Sequence, residues 1–346
     1  RPSKCAEKKQ HGEVENNRLF HRMSRRLFCM SVFITHLSCV AFGDACLATG
    51  PKSCQNRPGA TSFRVVAYLP DYAMTTVPPK AFDLITDLVF FSAVIDQDGA
   101  FPITTLSALP VAAVQQIKRE HALRTHLCFG GWGRSDGFAV LSLDPGKRKA
   151  FIEALTAYCT ANAFDGVDYD WEFPANREER AAYNALLTET AAAFHPKGLE
   201  VSIALGWSET LDAAAYTAVD RIHLMTYDMG KRHSTYAASK AAVGRVIASG
   251  APAAKICLGV PFYGRKMDQL DTAMAYKNIL SEFAPGTRAD EAGGFYFNNA
   301  ATLRKKTHYA THKGLAGMMI WEISMDTGDE TSLLQAIQKE IAKNRR

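Results

Sequence analysis

From Arg64 onward the 346-residue chain repeats one pattern, a short run rich in β-branched and apolar residues followed by a longer stretch with helical spacing. The short runs are Arg64 to Leu69, Leu84 to Ala93, Arg124 to Phe129, Gly166 to Trp171, Glu200 to Leu205, Arg221 to Thr226, Ile256 to Pro261 and Gly317 to Trp321. Helical patterns fill the gaps, among them Pro110 to His121, Lys147 to Asn162, Arg177 to Phe194, Ala237 to Ser249 and Thr331 to Ala342. Strands that alternate with helices predict βα units and a parallel sheet, and eight of them predict a closed (β/α)8 TIM barrel, which takes about 250 residues. After Pro58 there is no internal repeat, low-complexity tract or Pro-rich linker, so residues 59–346 are expected to form one domain. In such barrels chemistry is built at the carboxyl ends of the strands.

The fourth run ends in an unusual concentration of charge. In Phe164-Asp-Gly-Val-Asp-Tyr-Asp-Trp-Glu-Phe-Pro174, four acids occupy the eight positions from Asp165 to Glu172. Asp168, Asp170 and Glu172 are spaced by two, so on a strand they leave from one face with Cα atoms roughly 6.5 Å apart. Asp165 has the other parity, and a structural role at the strand's start is expected of it. Clustered acids usually mean a solvated patch. Here Phe164, Val167, Trp171 and Phe173 bound them, and a strand so apolar on its other face is buried. Three stacked carboxyls in a shielded place must share protons, so at least one pKa rises and a general acid results.

Composition narrows the function. The net charge of +5 is concentrated in residues 1–50, whose eight basic and four acidic side chains leave the rest nearly neutral. No nucleic-acid partner is expected. Residues 1–22 are polar and mixed in charge and are left unassigned. Residues 23–48 have the pattern of a signal peptide: Met23, then Ser24-Arg25-Arg26, an apolar run from Leu27 to Gly43 broken by His36, and small residues at Ala45 and Ala48. A short linker, residues 49–58, follows. The pattern predicts a secreted or periplasmic protein with no stable membrane insertion; a retained anchor is the alternative, for which the run is short. Cys128, Cys159 and Cys257 fall among apolar neighbours and are expected to be free buried thiols, and no metal-ligand spacing appears.

The acid run resembles the signature Asp-x-x-Asp-x-Asp-x-Glu of glycoside hydrolase family 18, the chitinases and their relatives, and all four acids match. Met225-Thr226-Tyr227-Asp228 is similar to the family's Met-x-Tyr-Asp, and Gly259-Val-Pro-Phe-Tyr-Gly-Arg265 also looks like the family. The resemblance implies a substrate-assisted mechanism in which Glu172 is the acid and base, Asp170 holds the acetamide of the substrate, Asp168 shares a proton with Asp170, and Tyr227 donates to the acetamide carbonyl. It implies substrate contacts from Trp321, Tyr68, Trp132, Met225, Asp228 and Arg265, although Arg265 read by itself is equally a surface ion-pair partner. Trp321 shares parity with Gly317 and Met319 and offers a flat ring for a sugar. Trp171 points the other way and reads as packing.

Two departures matter. Cys128 stands where the family usually has serine, and the weaker thiol donor predicts reduced support for an ionised Asp168. Between Arg265 and Gly314 the chain is too short for the large α+β subdomain of many relatives, which predicts an open cleft and endo-type cutting. The expected activity is hydrolysis of β-1,4-linked N-acetylglucosamine polymers by a monomer without cofactor or metal. The alternatives are an endo-β-N-acetylglucosaminidase acting on N-glycans or peptidoglycan-like chains, and a non-catalytic chitin-binding lectin.

Overall fold

The computed structural model describes residues 63–344 apart from Ala108, so the readings of 1–22, 23–48 and 49–58 lie outside the described residues. Parallel strands close into a barrel: β1 (Arg64–Pro70), β2 (Asp87–Ala93), β3 (Arg124–Gly130), β4 (Gly166–Asp170), β5 (Glu200–Gly206), β6 (Arg221–Met225) and β7 (Ile256–Pro261). Next in the chain come β8 (Tyr263–Lys266), β9 (Gln269–Ala275), β10 (Glu291–Ala292) and β11 (Phe295–Tyr296), and last β12 (Gly317–Trp321). β12 completes the barrel by pairing with both β7 and β1, Arg64 lying opposite Gly317. Among the described residues no helix is long and apolar enough to cross a membrane.

Period-two alternation divides the apolar residues into two separate cores. Val65, Ala67, Leu69, Val167, Tyr169, Ile203 and Leu205 face outward and pack under the helices. Val66, Tyr68, Val89, Phe91, Cys128, Met225 and Met319 face the axis and fill the barrel. At the amino-terminal end charges close it: Glu200 meets Arg124 at 2.7 Å and Arg221 at 3.5 Å. Burial alone would raise the Glu200 pKa, but His126 and the two arginines hold it down to about 2. That end is polar and internally paired, so it serves stability.

The second strand begins three residues later than its sequence suggests, because Pro79 sets a 3-10 helix over Pro79–Leu84 that Ile85 ends with its N–H on the Phe82 carbonyl. The helix Arg177–Phe194 starts where Asn176 caps it, accepting the Glu179 N–H at 2.9 Å while Glu179 returns a carboxylate oxygen to the Ala175 N–H at 2.8 Å. This cap follows directly on the acid strand and fixes the path of the chain away from it.

The segment between β7 and β12 carries more structure than was expected. It forms a four-stranded antiparallel sheet in the order β10-β11-β8-β9, with the helix Tyr276–Phe283 packed on it. No large subdomain is present, and this small sheet brings β8 against the carboxyl end of the barrel.

Candidate active site

On β4 the alternation sends Val167 and Tyr169 into the outer core and Asp168 and Asp170 into the barrel. Trp171 turns outward and stacks on Phe138 at 5.3 Å with an 11° interplanar angle, as its parity predicts. Glu172 lies just past the strand, its N–H on Ser135 Oγ at 3.1 Å. Asp165 sits at the other end, accepting the Thr125 N–H and the Lys118 ammonium, each at 2.7 Å. Gly130, which ends the neighbouring β3, and Gly131 just past it, with φ of 99° and 103°, let Asp170 and Phe91 approach; a Cβ would overlap the Asp170 carbonyl and the Phe91 ring.

Solvent access rises along the acids. Asp168 is 0% exposed and Asp170 3%, while Glu172 is partly open. Asp168 lies in a ring of donors: Tyr68 Oη at 2.7 Å, Ser202 Oγ at 2.6 Å and His223 Nδ1 at 3.1 Å. Burial pushes its pKa up, but the charge and hydrogen bond of His223, with Ser202 and Tyr68, outweigh it and hold the carboxyl below its usual range. Beside Cys128, whose thiol was expected to support an ionised Asp168 less than serine would, these three side chains hold the carboxylate.

Asp170 has no such ring. Its Oδ1 is buried without a hydrogen-bond partner. Burial, then the charges of Glu172 and Asp168, push its pKa well up. Glu172 is raised to about 7 by burial and by the charge of Asp228, tempered by the backbone of Trp132. The three acids are therefore held differently: Asp168 is kept ionised, Asp170 is pushed toward its protonated form, and Glu172 is raised to about 7.

Around them the other expected residues gather unequally. Tyr227 is 7% exposed, and its hydroxyl has only the Met319 sulfur, at 3.9 Å, among the described residues. Met225 packs in the barrel core beside it. The Trp321 ring stands edge-on to Phe91 at 4.6 Å and tilted to Tyr68 at 5.6 Å, and is partly exposed. Trp132 is 80% exposed at the rim. Tyr68, expected among substrate contacts, is 1% exposed, and its hydroxyl is taken by Asp168 and His223. It supports the acids from beneath.

Arg265 comes from β8 and is committed to Asp228, with Nε and Nη2 at 2.8 and 2.7 Å from its two oxygens. Tyr263 Oη adds a third bond at 2.7 Å. Burial would raise the Asp228 carboxyl, but Arg265, His233 and Tyr263 keep it well below the ordinary range. Asp228 has a φ of 57°, a left-handed conformation that aspartate tolerates better than most residues and that turns its carboxylate back toward the acids.

Ser202, His223 and Phe91 went unnoticed in the sequence, and Tyr263 was read only as part of the Gly259–Arg265 motif. The signal for Ser202 and His223 is weak but present: both are polar residues at inward parity on otherwise apolar strands, and Ser202 is in register with Asp168.

Comparison with known proteins adds to this geometry. A family model described as glycosyl hydrolases family 18 matches residues 64–326. Chitinase A1 of Niallia circulans is 30% identical over 295 residues, 62% of this chain and 42% of the relative. Chitinase 1 of Aphanocladium album is 26% identical over 275 residues, 63% of this chain and 65% of the relative. This chain thus spans less than two thirds of either relative. A crystal structure of the chitinase ChiB from the chitin utilization locus of Flavobacterium johnsoniae superposes with a TM-score of 0.72 at 24% identity, over 82% of this chain and 96% of that one, which is a likeness of fold.

Proposed function

The chain belongs to glycosyl hydrolases family 18, and on that premise we propose that it is a chitinase, cleaving β-1,4-linked N-acetylglucosamine polymers with retention. The observation that carries the reading is the buried, partnerless Oδ1 of Asp170, set between Asp168, whose carboxyl is held below its usual range, and Glu172, whose carboxyl is raised to about 7. A buried polar oxygen without a partner costs about 1–3 kcal/mol, and the N–H of a sugar acetamide would relieve it.

The steps follow from those charge states. Glu172 gives its proton to the glycosidic oxygen as the C1–O bond breaks, and the acetamide carbonyl oxygen closes on C1 to form an oxazolinium ion. Asp170 takes the acetamide N–H, and its proton is shared with Asp168, so negative charge moves toward the developing cation. Tyr227 donates to the acetamide carbonyl. Glu172, now ionised, takes a proton from water as the water oxygen attacks C1 and the acetamide re-forms. Two inversions at C1 give retention. Trp321 forms the floor under the sugar.

Endo-type cutting is part of the proposal, supported by the exposure of Trp132 and the small size of the β8–β11 sheet. Export to a secreted or periplasmic location rests on the pattern of residues 23–48. The test is incubation with chitopentaose, and with cellopentaose as control, followed by mass spectrometry. Shorter N-acetylglucosamine oligomers from the first substrate alone are expected. Binding of chitopentaose without any cleavage would overturn catalysis and leave a lectin.

A further inference from the structure

Behind the loop that carries Asp228 lies a lysine with 0% exposure. Lys306 sits in the helix Ala300–His312, which Asn299 caps through the Ala301 and Thr302 N–H groups. Its ammonium reaches Ser234 O at 2.8 Å, Ser234 Oγ at 2.7 Å and Asn298 Oδ1 at 2.7 Å. Three acceptors meet three N–H donors, and none is a carboxylate. Burial pulls its pKa down to about 7, against the charge of Asp290. Such a cation is expensive to keep where an apolar side chain would pack.

Ser234 passes the hold onward. Its Oγ donates to the Thr226 carbonyl at 2.7 Å, directly before Tyr227, while Asn298 Nδ2 donates to the Ser234 carbonyl at 2.8 Å. Between these ties the Met229 N–H reaches the His233 carbonyl at 3.0 Å, and His233 Nδ1 lies 3.4 Å from Asp228 Oδ1. Tyr227 and Asp228 therefore stand on a loop whose two ends are tied together by Ser234, and Ser234 is held by the Lys306 ammonium.

We propose that Lys306 is a positioning residue for the active site: through Ser234 it clamps the 226–234 loop and so sets where Tyr227 and Asp228 stand relative to Glu172. The inference rests on the reading that Glu172 is the proton donor. Glu172 faces Asp228 across the site and Asp170 along its own segment; Asp228 faces Arg265 and Tyr263 of β8 and His233 of its own loop; Lys306 faces Asp290 and His233. A loosened loop carries the Asp228 charge away and lets Glu172 ionise more readily.

The test titrates the Glu172 carboxyl by carbon-13 NMR in the full chain labelled at glutamate δ-carbons, the signal being assigned by its loss in Glu172→Gln. Lys306→Met and Ser234→Ala are expected to move the Glu172 midpoint down by at least about 0.5 pH unit. Thr307→Val, which removes only a hydroxyl bonded to the Leu303 carbonyl of the same helix, is expected to leave it in place. Should Lys306→Met not fold, Ser234→Ala carries the test. An unchanged midpoint in the folded variants, whatever their stability, overturns the proposal. Because the titration is read without substrate, a failure to cut chitopentaose would count against the proposed function and not against this clamp.

Discussion

Tyr68 donates its hydroxyl to Asp168 Oδ2 at 2.7 Å, and neither residue is more than 1% exposed. Hydrogen bonds to buried charges contribute about 1.5–3 kcal/mol. Tyr68→Phe removes this donor and leaves Ser202 and His223, so the Asp168 carboxylate loses one of the three side chains that hold it in place to share a proton with Asp170. The expected result is a kcat on chitopentaose lower by about 10-fold to 100-fold with KM nearly unchanged, since the buried hydroxyl is already taken by Asp168 and His223. Steady-state kinetics would decide it. A raised KM at constant kcat would make Tyr68 a substrate ligand after all.

The raised pKa of Glu172 has a consequence for stability. A carboxyl whose pKa is higher in the folded state than in the unfolded one binds its proton more tightly when folded. Its stabilising contribution is present below the unfolded value of 4.5 and is lost as pH rises toward about 7. Asp170 adds to this with the same sign. Glu172→Gln removes one of the two charges that must be buried at high pH. Calorimetry is expected to show its Tm above that of the unmutated chain at pH 8, with the gain vanishing near pH 4. A gain of equal size at both pH values would show that the carboxyl is not shifted.

The two tryptophans expected to touch sugar should separate on substitution. Trp321 packs on Phe91 and Tyr68 inside the barrel, so Trp321→Ala is expected to cost about 3–5 kcal/mol of stability and to depress turnover. Trp132 is 80% exposed, and its substitution by alanine is expected to change stability by less than about 0.5 kcal/mol. Its effect should appear in KM for longer oligomers. Denaturant unfolding together with kinetics on chitotriose and chitohexaose checks both, and equal destabilisation by the two variants would contradict the packing described.

How far the sequence could be read depended on what each residue shares with its neighbours. The barrel strands and the acids were legible because period-two alternation is a property of many residues at once, and it also turned Trp171 outward and Trp321 inward correctly. His223 and Ser202 were hard to see, since one polar residue on an apolar strand looks like any satisfied core group until the register with Asp168 is known. The β8–β11 sheet was missed for a different reason. β10 and β11 have two residues each and most of β9 is exposed, so neither length nor alternation marked them. Arg265 could be placed near the site by its motif, but only that sheet shows its guanidinium committed to Asp228.

In the proposed reaction Glu172 alone carries the proton in both steps, with the substrate's acetamide as nucleophile. It is tested most directly by turnover and binding of chitopentaose with Glu172→Gln. The amide fills the same space and cannot donate or accept the proton. Expected are a Kd within a few-fold of the unmutated chain and a kcat reduced beyond the roughly 100-fold to 10,000-fold of a typical general acid–base group, since both steps lose their only proton carrier. A variant that still turns over chitopentaose at a tenth of the original rate would contradict it, and would move the proton to another group.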